Sequence, residues 1–329
     1  MRTQNKRAGI VGVGFYVPEK ILTNRELEKM VETSDDWIRT RTGISERRIA
    51  EKGTGTSDLS AKAALKALKN AGVKPEEIDL IIAATTTPDM PLPSCACFIQ
   101  QKIGAANAAA FDLAAACAGF VYALVTAEQF IANGTYKTIL IIGADLISSY
   151  IDWTDRSTCV LFGDGAGAVI LKEVKSGGIL SGVLGSDGRH AELLKICAGG
   201  SKFPATEATV QAKNHYLQMT GSEVFKLAVR GMSDAVMKAL AKAGVDKKDV
   251  ACFLPHQANQ RIIDAVIERL DVPKEKVFVN LDKYGNTSAA SCVIALCEAL
   301  EEGRIKKKDK VVLATFGSGL VWGAVVMEW

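Results

Sequence analysis

Four stretches of the chain carry residue types that could act together chemically. The first runs Phe111-Asp112-Leu113-Ala114-Ala115-Ala116-Cys117-Ala118-Gly119-Phe120. It reads as a buried strand, a tight turn of small residues, and a helix that opens at the cysteine. Ala114 to Ala116 have so little bulk that another group can approach Cys117 closely. The free N–H groups and partial positive charge of a helix N-terminus favour thiolate over thiol. The same N–H groups can hold the oxyanion of an attached thioester. A free cysteine is more often a small core residue, so Cys117 must be weighed with the other three stretches. These are Pro255-His256-Gln257-Ala258-Asn259, Tyr284-Gly285-Asn286-Thr287-Ser288 and Gly317-Ser318-Gly319. A thiolate can take an acyl group from a thioester. A neutral imidazole and an asparagine amide both donate hydrogen bonds and together suit an enolate oxygen. Backbone N–H groups of residues 317–319 suit a second oxyanion. Singly, His256 reads equally well as a satisfied core histidine, and Asn286 as a turn residue. The conjunction is far more specific than its parts.

The elements that must position these residues alternate between strand and helix. Residues 8–17 read as a first strand and Asn24 to Thr33 as a helix capped by Asn24. Thr40 to Ile44 reads as a loop. Ser57 caps a helix that stops at Gly72. Ile78 to Ala84 and Thr138 to Gly143 are apolar runs expected of strands buried on both faces, with a helix near Cys95 to Ile103 between them. Asp152 to Thr158 reads as a polar loop, and Gly163 to Gly167 as a lead into a strand through Leu171. In the second half Val250 to Leu254, Val277 to Leu281 and Val311 to Thr315 are strands that end just before His256, Asn286 and Gly317.

The second half echoes the first. Lys66-Ala67-Leu68 and Ala71-Gly72-Val73 return as Lys238-Ala239-Leu240 and Ala243-Gly244-Val245, each shifted by 172 positions (238 − 66; 243 − 71). Phe111 to Cys117 aligns with Asn280 to Asn286 at a shift of 169, which makes Asn286 the twin of Cys117. Such a repeat implies two similar βαβ-type halves about a pseudo-twofold axis. The boundary falls at Lys172 to Gly178, giving halves of residues 1–174 and 175–329. In open α/β sheets ligands gather beyond the carboxyl ends of strands, so the four stretches converge between the halves.

Bulk properties narrow the class. The chain has 329 residues, 48% hydrophobic and 23% charged, and a net charge of +3. That is a globular composition with no general bias toward nucleic acid. Arginines cluster at Arg39, Arg41, Arg47 and Arg48, and again at Arg261 and Arg269. Each cluster suits either a solvated surface or the docking of phosphate or an acidic partner. The eight cysteines lie mostly in apolar runs without a C-x-x-C pair, which fits neither structural zinc nor a disulfide framework. A reducing cytoplasm is the simplest compartment. Arg2, Lys6 and Arg7 precede an apolar run that reads as a strand, not a signal peptide. Ala105 to Ala127 contains Asp112 and reads as buried core, not a membrane span.

These motifs resemble those of the β-ketoacyl-acyl carrier protein synthase III family of thiolase-like condensing enzymes, over nearly the whole chain. Asp35-Asp36-Trp37-Ile38, Thr40-Arg41-Thr42-Gly43-Ile44, Ala115-Ala116-Cys117-Ala118-Gly119-Phe120 and Asp155-Arg156-Ser157-Thr158 carry the likeness, with the stretches around His256 and Asn286. The resemblance implies a layered αβαβα thiolase-like fold and a homodimer. It implies that Cys117 accepts an acyl primer from acyl-CoA, and that malonyl-acyl carrier protein then binds. His256 and Asn286 would stabilise the enolate left by decarboxylation. Cys117 and Ser318 would supply oxyanion N–H groups. Trp37 and Arg156 would sandwich the CoA adenine, Arg41 would meet its phosphates, and Arg261 would dock the carrier protein. No metal or redox cofactor is implied, because decarboxylation supplies the carbanion. Three positions depart from the family pattern: Ser318 replaces a glycine, Ser222 stands where asparagine is common, and Leu92 stands where phenylalanine often reaches into the partner's primer pocket. The choice of straight or branched primer stays open.

Three other readings compete. A dinucleotide-dependent oxidoreductase is suggested by Gly9, Gly12 and Gly14 and by Gly163, Gly165 and Gly167. Such a fingerprint needs strand, glycine turn and helix in succession, and Phe15-Tyr16-Val17-Pro18 does not begin a helix. A non-catalytic acyl-binding protein should lack the nucleophile. A related enzyme of secondary metabolism, acting on CoA thioesters throughout, would keep the Cys-His-Asn set.

Overall fold

The computed structural model describes residues 6–329; Arg2 lies outside them. In the first half the strands are β1 (Arg7–Tyr16), β2 (Leu80–Ala84), β3 (Ala109–Leu113), β4 (Thr138–Leu146) and β5 (Asp164–Val174). The helices that matter here are α1 (Asp35–Thr42), α2 (Thr56–Ala71), α3 (Cys95–Ile103) and α4 (Gly119–Ala132). The second half contributes β6 (Gly178–Ser186), β7 (Val250–Pro255), β8 (Lys310–Gly317) and β9 (Val321–Glu328), with α5 (Gly221–Ala243), α6 (Gln260–Leu270) and α7 (Ser291–Glu301). The first sheet has the order β1-β5-β4-β2-β3 and the second β6-β9-β8-β7. Strands β4, β2 and β3 run parallel, as do β8 and β7.

Alternation along the strands explains the layering. Ile81, Ala83, Leu140 and Ile142 face α2 and α3 in one apolar cluster. Their neighbours Leu80, Ile82, Ile139 and Ile141 turn the other way. They meet α4, α7 and the inner residues of the second sheet, such as Leu254, Leu313 and Val325. Phe253, Val312 and Val326 face α5 and α6. The result is five layers, αβαβα, with α4 and α7 at the centre. Gly12 and Gly14 belong to this packing: a Cβ on either would fall within 2.6 Å of the α2 backbone. They lie inside β1, and Gly165 and Gly167 lie inside β5, so neither cluster forms the turn a dinucleotide needs. The run from Ala105 to Ala127 divides into β3, a short turn and α4. Among the described residues, no helix is long and apolar enough to cross a membrane.

The repeat is tighter than sequence alignment indicated. α2 and α5 both end at left-handed glycines, Gly72 (φ 63°) and Gly244 (φ 65°), 172 residues apart. Ile81, Ile82 and Ala83 pair with Leu140, Ile141 and Ile142; Phe253, Leu254 and Pro255 pair with Val312, Leu313 and Ala314 at the same shift. The turn Ala116–Ala118 matches Ser288–Ala290, again 172 apart, and Ala116 and Ser288 share an unusual positive φ (44° and 52°). The twin of Cys117 is therefore Ala289, not Asn286, and the shift of 169 is corrected. Val277, bridged to Phe253, corresponds to Ala110 beside Ile81, a shift of 167. The second half thus inserts five extra residues (172 − 167) before its turn, and Asn286 belongs to that insertion.

Several local expectations change. Val277 to Leu281 forms no strand beyond that single bridge and continues into a helical turn, Leu281–Tyr284. Asn24 to Thr33 holds only one helical turn, Asn24–Leu27, capped by Thr23 with Glu26. Thr40 to Thr42 are helical, not loop, because α1 is well signalled. Ser34 accepts the Trp37 N–H (3.1 Å), Asp35 and Asp36 sit in the first turn, Arg39 and Arg41 in the last, and Gly43 closes it at φ 81°. The cap of α2 is Gly55 instead of Ser57. The polar loop after Asp152 contains a helical turn, Arg156–Cys159, capped by Asp155.

Candidate active site

The carboxyl ends of β3, β7 and β8 deliver Cys117, His256 and the 317–319 loop to one cavity of about 1040 Å³. Asn286 and Ser288 also line it. Each arrives there for a local reason.

Cys117 sits in the tight turn before α4 and is 9% exposed. Its Sγ accepts the Ser288 hydroxyl at 3.3 Å. Burial pushes its thiol pKa up to about 12, and the nearby Asp145 carboxylate adds to the rise, while the Ser288 hydroxyl opposes it. The expected lowering of the cysteine pKa is thus overturned. A turn of three residues presents its N–H groups, but the apolar shell removes the water that would stabilise a thiolate. The resting group is a thiol. The Cys117 N–H faces the end of β8. Gly317 keeps that N–H open: a Cβ there would lie 2.8 Å from Cys117 N and 3.1 Å from Ala118 N.

His256 follows β7 directly, and its backbone N–H donates to Ala314 of β8 (2.8 Å). The imidazole is almost fully buried, and burial lowers its pKa to about 4, so it is neutral near pH 7. Its Nδ1 meets the Ser291 hydroxyl at 2.6 Å. With Ser291 donating, Nε2 carries the proton.

Asn286 is clamped through its backbone. Its N–H donates to Leu161 O (2.8 Å) and its carbonyl accepts from Gly163 N–H (3.1 Å). Its side-chain oxygen accepts the Ser288 N–H (2.9 Å), which leaves the Nδ2 donors for other partners. Ser318, the departure in the last loop, donates its hydroxyl to Leu194 O. That anchors the loop and leaves the Ser318 backbone in place.

Trp37, Arg41 and Arg261 also line the cavity, and the exposure of both arginines places them at its opening. Arg261 lies in the first turn of α6, which Asn259 caps by accepting the Arg261 N–H (2.9 Å). Arg156 is not in the cavity wall. Its guanidinium lies 4.9 Å from the Trp37 ring centre and donates to Glu32 O (2.9 Å). That is direct stacking, with no base-sized gap between the two. Ser222 lines the cavity. Leu92 does not; it is 84% exposed on the loop before α3.

Sequence reading missed Arg47. Its cluster suits a solvated surface or a docking site in the sequence, yet Arg47 is fully buried and donates to Leu22 O (3.1 Å), Asn24 Oδ1 (2.8 Å) and Val160 O (2.9 Å). Burial lowers its pKa to about 10, so it stays charged. It backs the segment that clamps Asn286. Ser288 and Ser291 were missed as well, although both stand beside Asn286 in sequence.

Two family models match the chain. One is described as 3-oxoacyl-[acyl-carrier-protein] synthase III and covers residues 111–188; the other is its C-terminal counterpart and covers residues 240–329. The chain is 54% identical to a β-ketoacyl-[acyl-carrier-protein] synthase III of Clostridioides difficile over 325 residues, 99% of each chain. Among solved structures it resembles a 3-oxoacyl-[acyl-carrier-protein] synthase III of Aquifex aeolicus, with a TM-score of 0.91 and 48% identity. That match covers 98% of this chain and 100% of the other. It also resembles the priming β-ketosynthase of the R1128 polyketide pathway, with a TM-score of 0.92 and 35% identity over 100% and 98% of the two chains.

Proposed function

The chain belongs to the 3-oxoacyl-[acyl-carrier-protein] synthase III family, and on that premise we propose how its residues divide the work of the initiating condensing enzyme of fatty acid synthesis. In the first half-reaction the Cys117 thiol attacks the carbonyl of an acyl-CoA primer. The proton leaves Sγ as the new C–S bond forms, and it passes to the departing CoA thiolate. Neutral His256 suits this transfer in its other tautomer: the Ser291 hydroxyl can also accept, from Nδ1–H, which frees the Nε2 lone pair to take the thiol proton and pass it on. The N–H groups of Cys117 and Ser318 hold the oxyanion.

In the second half-reaction malonyl-acyl carrier protein loses CO2. The electron pair of the broken C–C bond becomes an enolate, held by His256 Nε2–H and the Asn286 Nδ2 donors. The enolate carbon attacks the acyl-Cys117 carbonyl, the C–S bond breaks, and the Cys117 thiolate takes from solvent the one proton that the overall reaction consumes. The products are 3-oxoacyl-acyl carrier protein, CO2 and CoA. Decarboxylation makes the carbanion, so the scheme calls for no metal or redox cofactor.

For CoA, Trp37 offers a stacking face, Arg41 a phosphate contact and Arg156 the opposite wall. Arg156 must first swing off Trp37. Arg261 suits an acidic carrier protein. Exposed Leu92 suits a contact with a second copy in a homodimer, reaching its primer pocket. We place the halves at residues 1–174 and 175–329, and the protein in the cytoplasm. The convergence of Cys117, His256 and Asn286 on one cavity carries this reading.

The test supplies labelled acetyl-CoA or isobutyryl-CoA with malonyl-acyl carrier protein and follows labelled 3-oxoacyl product. Wild type should form it with at least one primer, and Cys117→Ala with none. Faster product from malonyl-CoA than from the carrier-protein thioester would favour a condensing enzyme of secondary metabolism, the reading that the likeness to the polyketide priming enzyme supports.

A further inference from the structure

The two elbow turns are built alike and finished differently. Each is abutted by a strand end from the opposite half. A Cβ on Gly317, at the end of β8, would crowd Cys117 N, and a Cβ on Gly143, near the end of β4, would lie 2.4 Å from Ala289 O. The matched strand registers make Asp145 of β4 the counterpart of Gly317 of β8, 172 residues apart. Where the second half offers a glycine to the Cys117 turn, the first half offers a carboxylate to the Ala289 turn. Asp145 is fully buried, and its Oδ2 accepts the Ala289 N–H at 3.2 Å. Its Oδ1 gathers the loop after β2, accepting from Thr86 N (2.8 Å), Thr85 Oγ1 (3.0 Å), Thr87 Oγ1 (3.0 Å) and Thr86 Oγ1 (3.2 Å). No cation pairs with it in any ion pair among the described residues. A fully buried carboxylate is costly unless its oxygens are well bonded. Here they are bonded to the Ala289 turn and to a loop whose Thr86 lines the cavity.

We infer that Asp145 is a positioning residue for the condensation step: its carboxylate fills at Ala289 the place that a substrate oxyanion takes at Cys117, and so fixes the turn that carries Ser288. Ser288 then does two things. Its hydroxyl contacts Cys117 Sγ, and its N–H holds the Asn286 side-chain oxygen. Asp145 touches no substrate itself. The inference rests on the roles proposed for Cys117 and Asn286.

Asp145→Asn keeps the size of the side chain but must turn an NH2 either toward Ala289 N–H or into the threonine cluster. Single-turnover acylation of Cys117 by acyl-CoA and condensation with malonyl-acyl carrier protein are measured on the same preparations. Condensation kcat should fall ten- to a hundredfold, at least tenfold more than acylation does, with the KM for malonyl-acyl carrier protein within about threefold of wild type. Because Asp145 acts through the turn that aims Asn286, Asp145→Asn and Asn286→Ala should be non-additive in condensation, the double variant being no slower than the worse single one. Equal loss in both half-reactions, a KM effect alone, or full additivity would overturn the inference. If Asp145→Asn does not fold, Asp145→Ser, which is smaller and still removes the carboxylate from the Ala289 N–H, decides: wild-type condensation in that variant would overturn it too. Failure of the underlying reading shows separately, as absence of acyl-Cys117 in the wild-type protein.

Discussion

Gly317→Ala is the smallest change that should disable the oxyanion site. The added methyl carbon would stand 2.8 Å from Cys117 N and 3.1 Å from Ala118 N. Carbon in ordinary contact keeps about 3.5–4.0 Å from its neighbours. A hydrogen-bond acceptor on an N–H sits at about 2.7–3.2 Å. The methyl therefore fills space at the distance an oxyanion needs, and the atoms it meets are backbone, which yields only if the turn moves. Loss of one oxyanion donor costs about 10²–10³ in rate, or about 2.7–4 kcal/mol. Rapid-quench mass spectrometry of the acyl-enzyme, with saturating acyl-CoA, reads that step alone. Two controls separate blockage from damage. The thermal midpoint should stay near wild type, and alkylation of Cys117 by iodoacetamide, which forms no oxyanion, should stay within a few-fold. Acylation of the folded variant within threefold of wild type would refute the assignment of the Cys117 N–H.

The two enolate donors should separate in a half-reaction assay. Asn286→Ala should acylate Cys117 normally yet condense 10²–10³-fold more slowly, whereas His256→Ala should slow both steps; equal behaviour of the two variants in acylation would remove His256 as the base. Burial sets the His256 pKa at about 4 against an ordinary 6.5. The unfolded chain therefore binds that proton first. Stability is full above pH 6.5, declines as pH falls from there to about 4, and levels off below, by ~3 kcal/mol in all. Urea unfolding should show this decline in wild type and lose most of it in His256→Gln; parallel pH profiles would contradict the burial argument. Arg261→Glu should raise the KM for malonyl-acyl carrier protein at least tenfold at low salt and leave acyl-CoA acylation unchanged; a shift in the acyl-CoA step instead would move Arg261 out of carrier docking.

What could be read from the sequence was local. Left-handed glycines at Gly72 and Gly244, apolar strands, and motifs around Cys117, His256 and Asn286 depend on neighbours in the chain. They gave the layered α/β architecture and the residues that meet in the cavity. What could not be read depends on packing between distant segments. Arg47 looks like any exposed arginine until Val160 and Asn24 close over it. Cys117 has the surroundings of a thiolate in sequence, but burial by distant segments favours the thiol. The pairing of Cys117 with Asn286 matched chemistry to chemistry. Backbone pairs each turn with its own kind, and five inserted residues carry Asn286 away from that match. Asp145 did leave a trace, a lone charge in the apolar run Ile142-Gly143-Ala144-Asp145-Leu146, but only the second turn shows what it holds.

The most direct measurement is the mass of the peptide that contains Cys117 after brief exposure of the protein to acyl-CoA. The account predicts that the acyl mass appears on that peptide with at least one primer, and that malonyl-acyl carrier protein discharges it with release of CO2. An unmodified Cys117 peptide with every primer, or an acyl group that malonyl-acyl carrier protein leaves in place, would contradict it.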